Sequence, residues 1–357
     1  MRSFALSLLF SSILALGHAQ SDTIVWQKQT TEPYPGKQDD ICFVDEQNGW
    51  YCNGQGKIYH TSDGGARWEK IYEKPGTFFR CIAFLDSLRG FAGNVGTDYF
   101  PNVQDTIPLY QTQDGGKTWT PVNYKGNYVK GLCAIDVVKE QYINHGAIDY
   151  RYHIYGVGRV GAPANMLVSH DDGLTFTSKP MNDDCKMLFD IKMFNAKEGF
   201  ACAATSDDIT QSNALILYTK DGGKTWEKKY QSDRPFETTW KVSFPSRKVG
   251  YVTIQSYNPD PNVKQQRVAK TTDGGETWQE IPLCEDAAAR EFGIGFIDES
   301  HGFVGTRSSG FETTDGGKTW QKVDLGVAAN KIRIYNWGKG HSLYAIGVNV
   351  YRGKVGE

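Results

Sequence analysis

The ten-residue stretch Thr219–Lys228, TKDGGKTWEK, has close copies starting at Thr61, Thr112, Ser169, Thr271 and Thr313. All fit S/T-x-D-x-G-x-T-W/F, except that Arg67 stands at the threonine position of the first copy. Six copies in register make this a repeat protein, because a unit that keeps returning is one supersecondary element that buries its apolar face against its neighbours. The aspartate two residues before a glycine (Asp63, Asp114, Asp171, Asp221, Asp273, Asp315) suits a tight turn whose carboxylate accepts from backbone N–H groups. The second glycine (Gly65 in the first copy) is invariant among the copies and is expected at positive φ, where a Cβ would clash. Asp172 replaces the first glycine in the third copy, and Asp tolerates the left-handed region better than most residues. The closing aromatic (Trp68, Trp119, Phe176, Trp226, Trp278, Trp320) reads as a wedge between neighbouring repeats. Turns separated by whole repeats cannot converge on one site, so the boxes read as structural rather than as catalytic acids or metal ligands.

Residues 1–19 combine a basic start at Arg2, an apolar run from Phe4 to Leu16, and small residues at Gly17 and Ala19. This pattern predicts a secretory signal, too short for a lasting membrane span, followed by one domain over residues 20–357. The expected product is exported, periplasmic or secreted, and has no later segment apolar enough for membrane insertion. Without Arg2 the chain holds 38 Lys+Arg against 41 Asp+Glu, a net charge of −3, which excludes a general nucleic-acid binder. Aromatic content of 13%, 39 glycines and short alternating runs point to an all-β chain. Some of the seven cysteines should pair in an oxidising compartment, and an odd number leaves at least one over. Cys42 and Cys52 bracket CFVDEQNGWYC and face each other if the turn centres on Gln47, which makes them the candidate disulfide. No CxxC pair suggests a cysteine metal site.

A looser signature precedes most boxes: a strand ending in Phe, a turn, then Gly-aromatic and another strand. It appears at Phe43 with Gly49-Trp50, Phe84 with Gly90-Phe91, Phe194 with Gly199-Phe200, Phe244 with Gly250-Tyr251, and Phe296 with Gly302-Phe303. The third unit is blurred, with Cys133–Val138 and Tyr152–Val157 as its first two strands. Each unit thus supplies four antiparallel strands, the content of a propeller blade. A seventh unit after the last box has strands at Lys331–Trp337, Ser342–Val348 and Val350–Arg352 but no fourth. The missing strand is available at Ile24–Gln29, which resembles Lys318–Val323. The expected fold is therefore an all-β, seven-bladed β-propeller closed by the N-terminal strand joining the C-terminal blade.

The boxes resemble the Asp-box, or bacterial neuraminidase, repeat. From Ile24 to Arg352 the chain looks like the photosystem II assembly and stability factor family of seven-bladed propellers. That resemblance implies a non-enzymatic scaffold that holds partner proteins during assembly, without implying photosynthesis. Sialidases use the same turn together with an arginine triad and a Phe/Tyr-Arg-Ile-Pro motif. The nearest stretch here, Phe79-Arg80-Cys81-Ile82, lacks the proline. Arg80, Arg290 and Arg333 sit near the beginnings of inner strands, where they either form a carboxylate-binding cluster or pair with neighbouring Asp and Glu; the second reading is favoured.

The loops between second and third strands are long in units two to five: Asn94–Pro108, Gly158–Asn165, Thr205–Asn213 and Gln255–Gln266. Long loops on a rigid scaffold often carry function. With their aromatics they define a candidate binding face comprising Arg80, Tyr99, Phe100, Trp240, Tyr257, Arg290 and Arg333. No G-x-S-x-G, H-E-x-x-H, P-loop or dinucleotide fingerprint occurs, so no catalytic residue, metal or cofactor is expected. The expected function is an exported, non-enzymatic assembly scaffold, monomeric, with a protein partner. The alternatives are a glycan-directed hydrolase of sialidase type and a carbohydrate-binding propeller.

Overall fold

The computed structural model describes residues 24–338 and 340–355, so the expected signal segment lies outside the described residues. The chain is all-β and propeller-like, with a single 3-10 turn at Ile209–Gln211 among the described residues. Seven sheets form there, six of four antiparallel strands and one of five. In the first sheet Gln38–Phe43, Gly49–Asn53, Lys57–Thr61 and Glu69–Glu73 pair in chain order. Its first two strands are buried along their whole length, whereas Glu69–Glu73 is half exposed. First strands of successive sheets lie against one another, and the last, Lys331–Asn336, touches Gln38–Phe43.

The last sheet is completed from the other end of the chain. Ile24–Lys28 pairs antiparallel with Tyr351–Val355, Trp26 opposite Gly353, beside Val350–Val355, His341–Ile346 and Lys331–Asn336. The third sheet departs from the four-strand expectation. Pro121 ends the short strand Thr120–Pro121, and the following Tyr124–Lys125 pairs in parallel with Phe176–Thr177, covering an otherwise open edge. Its first two strands also run beyond the sheet as a ribbon, Ala134–Asn144 against Ala147–Gly158, that exposes Ile143 and Ile148 near its tip.

Neighbouring sheets are joined by stacked aromatics and by side chains that reach across. Trp50 stacks on Phe84 of the next sheet at 3.7 Å, Tyr251 on Phe296 at 3.6 Å, and Tyr344 of the last sheet on Phe43 of the first at 4.0 Å. At Gly49, Gly90, Gly250 and Gly302 the glycine before the second-strand aromatic is where a phenylalanine ring of its own first strand lies, a Cβ on Gly250 coming within 2.3 Å of Phe244, whereas Gly199 faces Met193. Asp40 accepts from Ile82 N–H at 3.2 Å, Asp136 from Met193 at 2.7 Å, and Asp190 from Val242 at 3.3 Å, each across one sheet boundary. At the boundary between last and first sheets, Phe43 N–H donates to the Tyr335 hydroxyl at 3.1 Å.

The box turns show one geometry. Thr313 donates its hydroxyl to Asp315 at 2.9 Å and accepts from Gly317 N–H at 2.8 Å, while Asp315 accepts from Thr319 N–H at 2.9 Å and its hydroxyl at 2.7 Å. Both glycines take positive φ, as does Asp172 at 62°. Box aromatics pack between their own sheet and the preceding one: Trp119 joins Trp50 and Ile58, and Phe176 joins Phe91 and Leu109. Partial burial raises the pKa of Asp114 and Asp315, but the threonine hydroxyls and turn N–H groups outweigh it and bring both to about 2. At Asp273 the Thr277 hydroxyl leads, and the value is again about 2. Because these folded pKa values lie below the ordinary 3.8, the stabilisation is complete above 3.8 and is lost as pH falls towards 2. Denaturant midpoints measured from pH 5 to pH 2 should fall across that window, and Asp315→Asn should flatten the slope.

The expected Cys42–Cys52 disulfide is not formed. The turn centres on Glu46, because Asp45 accepts from Gln47 and Asn48 N–H groups, both at 2.7 Å. This sets Cys42 opposite Trp50 and Cys52 opposite Asp40, so the two cysteines are buried thiols in offset positions.

Candidate functional site

Five of the first strands carry a register irregularity near their start, and four of these place a side chain in one cavity. Pairing skips from Gln38 to Asp40, Phe79 to Cys81 and Leu188 to Asp190, leaving Asp39, Arg80 and Phe189 as the extra residues. Trp240 lies in the gap between Thr239 and Val242, and Phe292 in the gap between Glu291 and Ile294. A bulge bends the strand and re-aims the unpaired residue, which is how a buried strand can present a side chain along the sheet axis.

Arg80, Phe189, Trp240 and Phe292 line one cavity of about 370 Å³, together with Lys37, Met187 and Thr238. Each of the four long loops adds to its mouth: Tyr99 and Phe100, Val160 and Gly161, Asp207 and Ile209, and Tyr257. The Phe189 and Trp240 rings lie 4.9 Å apart, and the Arg80 guanidinium sits 5.4 Å from the Trp240 ring. Trp240 Nε1 donates to Asn330 Oδ1 at 3.3 Å, which fixes the indole.

Charge beneath this aromatic wall is unbalanced. Lys37 (2.8 Å) and Arg80 both contact Asp39, Lys331 (2.9 Å) and Lys241 (3.7 Å) both contact Asp190, and Arg333 pairs with Asp40 at 3.3 Å. Five cations therefore share three carboxylates, and Asp39 Oδ2 has no hydrogen-bond partner. Burial and neighbouring Arg80 bring the Lys37 ammonium down to about 8, and burial brings Lys241 to about 8. Burial works to lower Arg80 and Arg333 as well, but Asp39 and Asp40 respectively hold both guanidiniums above their ordinary value. Burial raises the Asp190 pKa, yet Lys241 and Lys331 outweigh it and hold the carboxyl below the usual range.

Of the seven sequence-predicted face residues, Arg80, Tyr99, Phe100, Trp240 and Tyr257 meet at this cavity. Arg290 and Arg333 are not part of its lining: Arg290 sits 4.0 Å over the Tyr257 ring, and Arg333 pairs with Asp40. A three-arginine clamp is not assembled, since each guanidinium has a separate partner. Lys37, Phe189 and Phe292 were missed: Lys37 directly precedes the strand Gln38–Phe43, and the two phenylalanines read as ordinary apolar strand residues.

A scan against family models matches the BNR/Asp-box repeat at residues 217–228 and 311–322. The chain carries BNR/Asp-box repeats. A search of curated proteins finds no match. Among solved structures, one described as YCF48 bound to D1 peptide is similar at 14% identity and a TM-score of 0.63, over 94% of this chain and 95% of that one. YCF48 from Cyanidioschyzon merolae gives 14% and 0.63 over 92% and 98%, and the WD40 β-propeller domain of Doa1 gives 10% and 0.59 over 94% and 98%. At such identities the likeness is one of fold, and it places these Asp-box repeats in propeller-like sheets.

Proposed function

We propose that the chain is an exported, non-enzymatic propeller of seven blades, closed by its N-terminal strand, that holds a peptide segment of a partner protein at its centre. The observation that carries this reading is the convergence of four long loops and four bulged-strand side chains on one aromatic cavity with surplus cations. Such a site suits an apolar side chain next to a carboxylate: the rings supply buried area, and Lys37 and Arg80 share a single counter-ion. The similar YCF48 structure is described with a bound peptide, which supports a peptide here too. Separation of Arg80, Arg290 and Arg333 weighs against a sialidase-type reaction.

A tagged full chain should retrieve a defined partner from an exported fraction, and Trp240→Ala with Tyr257→Ala should lose it while keeping the same melting cooperativity. Retention of the partner by the double variant, or turnover of a fluorogenic glycoside by the parent, would overturn the reading.

A further inference from the structure

The central cavity does not end at its rim. Phe100 lines it on one side and on the other lines a larger cavity of about 680 Å³, which lies across the first and second sheets. Tyr34 lines that second cavity and also a third, of about 470 Å³, beside Lys28–Tyr34 and Asn349. Phe100 and Tyr34 are each shared by two of these depressions, so the three adjoin in a row, a track that leads from the centre to the N-terminal strand.

The middle of the track differs chemically from its inner end. Its walls are Tyr34, Phe78 and Phe100 with Pro35, Pro75 and Pro101. Gly54 lies where a Cβ would come within 2.9 Å of both Phe78 and Tyr34, so its lack of a side chain lets the two rings approach. The charged groups at the wall are already satisfied within the chain: Lys57 pairs with Glu32 at 2.7 Å, and Glu73 with Lys70 at 2.6 Å. At the centre, by contrast, Lys37 and Arg80 share Asp39. An aromatic and proline wall with no spare charge accommodates an extended, uncharged chain, as in grooves that take proline-rich segments.

We propose that the bound peptide continues outward from the centre along this track, as an extended uncharged segment that passes Phe100 and Phe78 and reaches Tyr34, with its acidic end held by Lys37 and Arg80. This rests on the peptide-binding reading above and adds its direction and composition.

The test uses the full chain as bait for a displayed library of random dodecapeptides, with affinities of selected peptides measured by fluorescence anisotropy. Selected sequences should combine an acidic end with an uncharged, apolar or proline-containing middle. Asn102→Trp, which fills the track at an exposed position, should weaken the dodecapeptide about tenfold or more, equivalent to about 1.4 kcal/mol. The same substitution should leave the affinity of a hexapeptide cut from the acidic end unchanged, whereas Trp240→Ala should abolish both. If Asn102→Trp leaves the dodecapeptide unaffected and Trp240→Ala abolishes it, the track is wrong and the central site stands. If no peptide is selected, or Trp240→Ala changes nothing, both fall.

Discussion

A chain that begins at Gln29 should lose cooperative folding. The strand Ile24–Lys28 is the outer member of the last sheet, and its removal frees the whole Tyr351–Val355 edge. It also removes the Trp26 ring, 5.1 Å from Phe303 of the neighbouring sheet, and Ile24, which is buried with Phe303 and Leu343. Loss of a fully buried large aromatic costs about 3–5 kcal/mol; Trp26 is partly buried and costs less, but buried Ile24 and the pairing of the whole strand go with it. A domain whose total stability is about 5–15 kcal/mol should not survive the sum as a cooperative unit. The loss should also spread, because the last sheet stacks on the first through Tyr344 and Phe43. Circular dichroism melts should show a broad transition or none, and limited proteolysis should cut within Lys331–Val355. A synthetic Ile24–Gln29 peptide added in trans should restore part of the protection; a sharp, unshifted melt of the shortened chain would refute the role given to this strand.

The same strand shows what the sequence made legible. The likeness of Ile24–Gln29 to Lys318–Val323 pointed to its place beside Val350, because every copy of a repeat must solve the same packing problem and a missing part is conspicuous. The box turn was legible for the same reason, although the hydroxyl of Thr313 and its equivalents, which links aspartate to glycine, was overlooked. The four long loops that line the central cavity stood out in the sequence, since insertions between fixed strands are conspicuous by length. The bulges were not legible: one unpaired residue leaves no mark in composition, and its existence depends on the register of the partner strand. So Arg80 was found by its charge, while Phe189 and Phe292 were hidden among ordinary apolar strand residues. Cys42 and Cys52 failed likewise, because Asp45 moves the turn by one position, enough to offset their pairing. The ribbon beyond Val138 was unreadable because its residues serve no shared core, and its alternation has no repeat to be compared with.

Asp190→Ala should be the most destabilising single substitution at the centre. The carboxylate is 3% exposed, holds Lys331 and Lys241, and ties its sheet to the next through Val242 N–H. Removing it leaves two buried ammonium groups without a counter-ion, a change that costs about 3–5 kcal/mol when one partner of a buried pair is lost. The pH dependence distinguishes this cause from a simple cavity. Lys241 already sits at about 8 because of burial, against an ordinary 10.5. A lysine with a folded pKa below its unfolded one destabilises while charged in both states, and stability returns as pH rises from the folded to the unfolded value. Without Asp190 the folded value drops further, so the return begins below pH 8. The gap in denaturant midpoint between variant and parent should therefore be wide at pH 7 and narrower at pH 9, and Lys241→Met added to Asp190→Ala should recover part of the loss at pH 7. A gap that is independent of pH would mean that lost packing dominates, and that the surplus of positive charge beneath the Phe189 and Trp240 rings is not felt by the fold.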